Sequence, residues 1–150
     1  MDSHEARRRL LRHGVLIVLV SLVEGGFVPM FTNPRMAVAA HVGGITTGLL
    51  TALFGLVWAE LRLGTGTQRA LFWLGVYQAW SQTAGLILAA AFGTSRTTPL
   101  AGAGHTGEPW EEAVDAVLLT TGAVAILVCC GLAVHGLRRP ADNGNRRAGF

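Results

Sequence analysis

The sequence predicts an all-α membrane protein, an antiparallel bundle of four transmembrane helices with both termini cytoplasmic. Three observations predict it. Hydrophobic residues make up 51% of the chain against 14% charged, and they gather into four long, nearly charge-free runs. Turn-forming residues separate the runs. The arginines fall mainly on one side of any four-span arrangement.

Residues 1–12 form a basic N-terminal segment carrying Arg7, Arg8, Arg9 and Arg12. A transmembrane domain over 13–137 follows, its first span expected at about 13–31. Glu24 interrupts this apolar run, and no convincing small-x-small cleavage site follows it, so the run reads as a helix and not as a removed signal peptide. The second span is expected at about 37–61 and the third at about 69–92, on uncharged runs over 37–59 and 70–92. The fourth, at about 111–135, rests on the uncharged run 116–134. Thr32-Asn33-Pro34 and Gly64-Thr65-Gly66-Thr67 are tight connections that force antiparallel neighbours. The longest connection, 93–109, is rich in Gly, Ser and Thr and is expected to form an ordered cap or lid. Residues 138–150 carry Pro, Asn, Gly and Arg and are expected to be a disordered cytoplasmic tail.

Every basic residue other than histidine is Arg. With four spans, Arg7, Arg8, Arg9, Arg12, Arg62, Arg69, Arg138, Arg139, Arg146 and Arg147 share one side, leaving Arg35 and Arg96 opposite. That asymmetry orients a multi-pass protein of a bacterial-type inner membrane. Trp58 and Trp73 are then expected at the inner interface and Trp110 at the outer. Arginines clustered beside apolar spans do not make a nucleic-acid footprint. Cys129 and Cys130 are adjacent within an apolar run, a poor disulfide pair and too few ligands for structural zinc, so they read as core residues.

Ionisable residues inside a span are costly and normally mark a function. Glu24 and His41 are the clear cases, and both are expected in the outer half of the membrane. Gln78, Ser81, Gln82 and Gly85 are expected to share a face of the third span, with Asp115 and Thr120 or Thr121 meeting them from the fourth. On the second span His41, Gly44, Gly48, Thr51 and Gly55 recur at helical spacing. Gly44 and Gly48 leave room beside the imidazole for a flat macrocycle, or equally for a closely packed helix. The purely structural reading makes His41 and Glu24 hydrogen-bonded interior groups and the glutamines interhelical contacts. No second histidine lies at the depth of His41, since His13 and His135 are at inner ends, His4 is near the N-terminus and His105 is in the outer loop. A haem on His41 would therefore keep an open coordination position.

Three motifs resemble the hydroxylaminobenzene mutase family, which is itself similar to styrene oxide isomerase. They are Asn33-Pro34-Arg35-Met36 leading into Ala40-His41, the run Phe92-Gly93-Thr94-Ser95-Arg96 with Thr98-Pro99, and Ala103-Gly104-His105-Thr106-Gly107-Glu108-Pro109-Trp110-Glu111-Glu112-Ala113. The resemblance spans roughly residues 8–138 and implies an intramolecular rearrangement in the membrane. The substrate class it implies is a small aromatic or apolar oxygenated molecule, an aryl hydroxylamine going to an aminophenol or an aryl epoxide to an aldehyde. It also implies ferric haem b as Lewis acid, His41 as its iron ligand, and a homo-oligomer, a trimer, whose subunits share the cofactor. Where relatives carry a polar residue, an Asn and a Gly after the ligand, this chain has Gly43, Thr47 and Gly48. Where the isomerases have Asp, Asn and Tyr on the third helix, it has Gln78, Gln82 and Leu86, so a general-acid role is not carried across.

The leading expectation is thus a haem-assisted membrane isomerase or mutase, with His41 on iron, Gly44 and Gly48 beside the cofactor, and Gln78, Gln82, Thr47 and Glu24 lining the substrate pocket. The alternatives are a non-catalytic haem-binding or sensing protein on the same scaffold and a structural subunit without cofactor.

Overall fold

The computed structural model describes residues 2–138; of the expected tail, all but Arg138 lies outside the described residues. Five α-helices run in order: α1 Ser3–Gly25, α2 Pro34–Leu56, α3 Thr65–Phe92, the short α4 Pro99–Gly102, and α5 Pro109–Arg138. Short 3-10 turns, Val28–Met30 and Trp58–Glu60, follow α1 and α2. No strand occurs among the described residues.

Local chemistry explains the ends. Asp2 caps α1, so the basic segment 1–12 is almost wholly helix and α1 begins well before the expected residue 13. Asn33 caps α2 by accepting from the Met36 amide at 3.1 Å, with Pro34 pre-set at the first helical position. α1 and α2 stop before the expected residues 31 and 61 because a tight 3-10 turn replaces the last part of each run. Gly64 precedes α3, so Thr65-Gly66-Thr67 forms its first turn and not a separate loop. Gly93, left-handed at φ 74°, ends α3.

α1 lies along α2, and α3 packs against α2 and α5 while also touching α1. The buried stripe of α1 is Ala6, Leu10, Gly14, Ile17, Ser21 and Glu24, the four-and-three spacing of one helix face. Two apolar clusters bracket the bundle. Near the chain termini Leu10, Phe54, Trp58, Leu71, Phe72 and Cys129 pack together, and at the opposite end Met36, Ala37, Ala89 and Ala90 do so. Trp58 is 3% exposed within the cluster near the chain termini, whereas Trp73 and Trp110 are exposed. Cys129 is buried as expected, and its neighbour Cys130 is only partly so; both are free thiols.

α2 and α5 are each long and apolar enough to cross a membrane. Their outward faces are correspondingly greasy: Val42, Leu49, Val117 and Val124 are more than half exposed, and Leu127 is 73% exposed. A contiguous apolar exterior of this kind suits lipid better than water.

The connection 93–109 is an ordered cap stitched by one carboxylate. Glu112 of α5 accepts backbone N–H groups from Ser95 at 3.0 Å, Arg96 at 2.9 Å and Gly107 at 3.1 Å. Asn33 donates to the Ala101 and Gly102 carbonyls at 3.2 and 2.9 Å, tying α4 over the start of α2. Asp115, buried beneath, accepts from the Thr97 hydroxyl at 3.1 Å. Glu112→Ala removes the acceptor of two part-buried amides and one exposed one, and is expected to cost about 1 to 3 kcal/mol at this half-buried position. Thermal unfolding in detergent measures the loss, and proteolysis should move to the 93–109 segment.

Candidate functional site

Between the two apolar clusters the helices contribute polar groups. The central contact is between the end of α1 and the first turns of α2. His41 Nδ1 lies 2.8 Å from the Ser21 carbonyl oxygen. A carbonyl only accepts, so Nδ1 carries a proton, and in the neutral ring Nε2 keeps its lone pair. With Nδ1 held by a backbone carbonyl and no hydrogen-bond partner for Nε2 among the described residues, the ring fits a metal ligand and a satisfied interior histidine equally. The Ser21 hydroxyl donates to the Ile17 carbonyl at 2.9 Å, so it does not compete for the ring.

The ring also rests against Gly25. A Cβ at that position would collide with the His41 Nδ1, Cε1 and Cγ atoms. Gly25 is therefore part of the site, as is the Ser21 carbonyl, and sequence reading passed over both. Gly14, Ser21 and Gly25 are small residues at helical spacing on α1, a signal that pairs them with the glycine face of α2.

Of the two uses the sequence left open for that face, the structure shows the close-packed helix. Gly44 is filled by the Ser21 hydroxyl, and a Cβ on Gly48 would lie 2.7 Å from the Gly14 carbonyl oxygen and 2.8 Å from Val18 Cγ2. Both glycines are buried under α1, which leaves no macrocycle-sized space beside them. His41 itself is half-buried.

Glu24 lies one turn beyond Ser21 on the same stripe, only 7% exposed, and neither of its carboxyl oxygens has a hydrogen-bond partner among the described residues. It sits within electrostatic reach of His41 without bonding to it.

The remaining expected residues diverge. Gln78 is buried and donates to Thr51 Oγ1 and the Gly75 carbonyl, both at 3.2 Å, which places it between α2 and α3. Ser81 and Gly85 pack on α5 instead, against Gly122 and Leu119. Gln82 donates to the Leu119 carbonyl at 3.1 Å and lines a cleft of about 360 Å³ with Leu86, Thr97, Thr98 and Thr120. The expected single polar face of the third span is thus two faces, because residues 78 and 82 differ enough in angle to meet different neighbours. Thr47 is half-buried, and its carbonyl accepts from Thr51 at 2.8 Å. Asp115 turns into the cap, while Thr121 is on the exterior, where Tyr77 bonds to it at 2.6 Å. No group of three His, Cys, Asp or Glu side chains able to hold a metal ion occurs among the described residues.

The three motifs at the capped end fold onto one another through Asn33, Glu112 and the 93–109 segment, and residues 6–138 match the styrene oxide isomerase family. The chain belongs to that family. It is 37% identical to hydroxylaminobenzene mutase HabB of Ectopseudomonas oleovorans over 94% of its own length and 87% of the relative's. It is 39% identical to hydroxylaminobenzene mutase HabA of the same organism, over 73% of its length and 82% of that protein's. No solved structure matches it significantly. Membership of this family makes the chain an intramolecular isomerase or mutase, and with the apolar exterior of α2 and α5 it is a membrane protein.

Proposed function

We propose that the chain is an aryl hydroxylamine mutase of the inner membrane, spanning it four times with both ends in the cytoplasm and rearranging its substrate to an aminophenol at His41. The observation that carries this reading is the fixed imidazole, presented by a chain so similar to two hydroxylaminobenzene mutases. The arginine asymmetry supports the topology. α1 and α3, whose runs fall short of the two most apolar helices, are spans in this reading because they pack lengthwise on α2 and α5.

His41 is the residue that would hold haem b: the Ser21 carbonyl holds Nδ1, Nε2 has no hydrogen-bond partner among the described residues, and no other histidine is expected at its depth. Gly44 and Gly48 do not suit it as a cradle, being covered by α1. A haem held by His41 would need room outside the α1–α2 seam, as between copies of a homo-oligomer, a trimer. Ferric haem, when bound, supplies a Lewis acid for the oxygen of the N–O bond.

The chain's own residues do the rest. The Ser21 carbonyl holds the imidazole proton and orients the ring. Glu24 offers two unpaired oxygens in the same layer. Thr47, half-buried on α2, and Gln82, in the α3–α5 cleft, are the next polar groups on the neighbouring helices, and neither bonds to the His41 ring. Gln78, already tied to Thr51, supports the wall behind them.

The test is direct. Detergent-purified protein should show a Soret band that disappears in His41→Ala, and should convert hydroxylaminobenzene to an aminophenol without added reductant. Colourless protein, after expression with ample haem, overturns the cofactor; absent turnover of both hydroxylaminobenzene and styrene oxide overturns the activity, and a haem-loaded inactive chain points to a binding protein.

A further inference from the structure

We propose that Glu24 sets the substrate class of this site, selecting an aryl hydroxylamine over an aryl epoxide by accepting the hydroxylamine's N–H and O–H protons. The inference rests on the reading of His41 as the reaction centre and goes beyond it by assigning the choice between the two chemistries this family's members are named for.

The starting point is an unmet need. Glu24 is more than nine-tenths buried, and both carboxyl oxygens lack any hydrogen-bond partner among the described residues. A buried polar group without a partner costs free energy comparable to a lost hydrogen bond, and more for a carboxyl group. α2 brings His41 to it as the only ionisable residue between Ala37 and Leu56, but the Nδ1 proton of His41 is already given to the Ser21 carbonyl. α3 between Gln78 and Phe92 has no ionisable side chain, and the amide groups of its two glutamines donate elsewhere. The described residues supply no donor, so the donor is expected on what binds.

The two substrate classes differ in this respect. An aryl hydroxylamine carries an N–H and an O–H, whereas an aryl epoxide carries only an oxygen acceptor. A site whose buried acceptors must be paired discriminates strongly against a ligand that lacks the donors, because binding then seals them unpaired. Glu24 also lies one residue before Gly25, which touches the His41 ring, so a ligand paired with Glu24 is held in the layer of that imidazole. The two oxygens can take the N–H and the O–H together, leaving the oxygen's lone pairs free.

The experiment is the ratio of kcat/KM for hydroxylaminobenzene to that for styrene oxide, measured on the full-length detergent-purified protein as wild type, Glu24→Gln and Glu24→Leu. The wild type should favour the hydroxylamine. Glu24→Leu, with no acceptor, should lower the ratio by about a hundredfold or more, chiefly through the hydroxylamine. Glu24→Gln, isosteric and keeping one acceptor, should fall between them and serves alone if the leucine variant does not fold. A ratio unchanged in the glutamine and leucine variants, with or without a general fall in both activities, overturns the role of Glu24 and leaves the His41 reading intact. A wild type inactive on both substrates overturns the His41 reading and this inference together.

Discussion

Alanine at position 25 is expected to abolish most turnover of hydroxylaminobenzene while His41 remains in the chain. Gly25 is the last residue of α1, and a methyl group there occupies the place of the His41 Nδ1 and Cε1 atoms. The ring must swing away, which breaks its 2.8 Å hydrogen bond to the Ser21 carbonyl and frees the tautomer. Misplacing a catalytic group by an ångström or losing the partner that orients a ligand each cost on the order of a hundredfold, so kcat/KM should fall by about that factor.

Two comparisons isolate the cause. His41→Ala sets the floor, and its loss should be on the order of a thousandfold, because a Lewis-acid site is worth several kcal/mol of transition-state stabilisation. Gly26→Ala, whose methyl meets only the Val23 carbonyl oxygen at 3.3 Å, should retain near-normal activity. Alanine is also the better helix former by up to about 1 kcal/mol, so a weaker helix does not account for a Gly25→Ala defect. The visible spectrum adds a readout independent of turnover: a shifted or weakened Soret band in Gly25→Ala, intact in Gly26→Ala. A Gly25→Ala protein with wild-type kcat/KM would show that the imidazole is not held by this contact.

Much of this site was legible in the sequence, and the reasons divide by type of interaction. His41 and Glu24 stood out because charge or potential charge within an apolar run is rare enough to be informative alone. The small-residue face of α2 was equally visible from its spacing. What occupies that face was not, since a glycine stripe specifies close approach without naming the approaching surface, and only the fold brings Gly14, Val18 and Ser21 there. The Ser21 carbonyl was invisible for a deeper reason: a backbone acceptor leaves no mark on residue identity. Gln78 and Gln82 were read as one face because four residues on a helix are nearly in line, yet α3 sits between α2 and α5 and a modest difference in angle assigns each glutamine to a different partner. Hydropathy placed the end of α3 at Phe92, whereas α1 begins in the basic segment because Asp2 caps it, and lipid-like composition says nothing of capping.

The α1–α2 seam carries the largest expected effect on stability. A Cβ on Gly14 would lie 2.6 Å from the Gly48 carbonyl oxygen and 2.7 Å from the Ala52 amide nitrogen, and one on Gly48 would lie 2.7 Å from the Gly14 carbonyl oxygen. The obstructing atoms are backbone, which no rotamer change moves, so each alanine must push the helices apart. Overpacking of that kind costs about 1 to 3 kcal/mol per site and occasionally more. Gly14→Ala and Gly48→Ala should each lower the unfolding temperature in detergent. The double variant should lose less than the sum, because one separation relieves both collisions. Gly131→Ala, on an exposed stretch of α5 with no atom within 4 Å of the added carbon, should instead be neutral or stabilising by up to about 1 kcal/mol. The same displacement carries Ser21 away from His41, so the two destabilised variants should also lose haem or turnover at temperatures where they remain folded. Additive losses, or unfolding temperatures equal to wild type, would mean that the helices do not meet at these glycines. Coupled losses of stability and activity would mean that the packing of α1 on α2 is what fixes the imidazole.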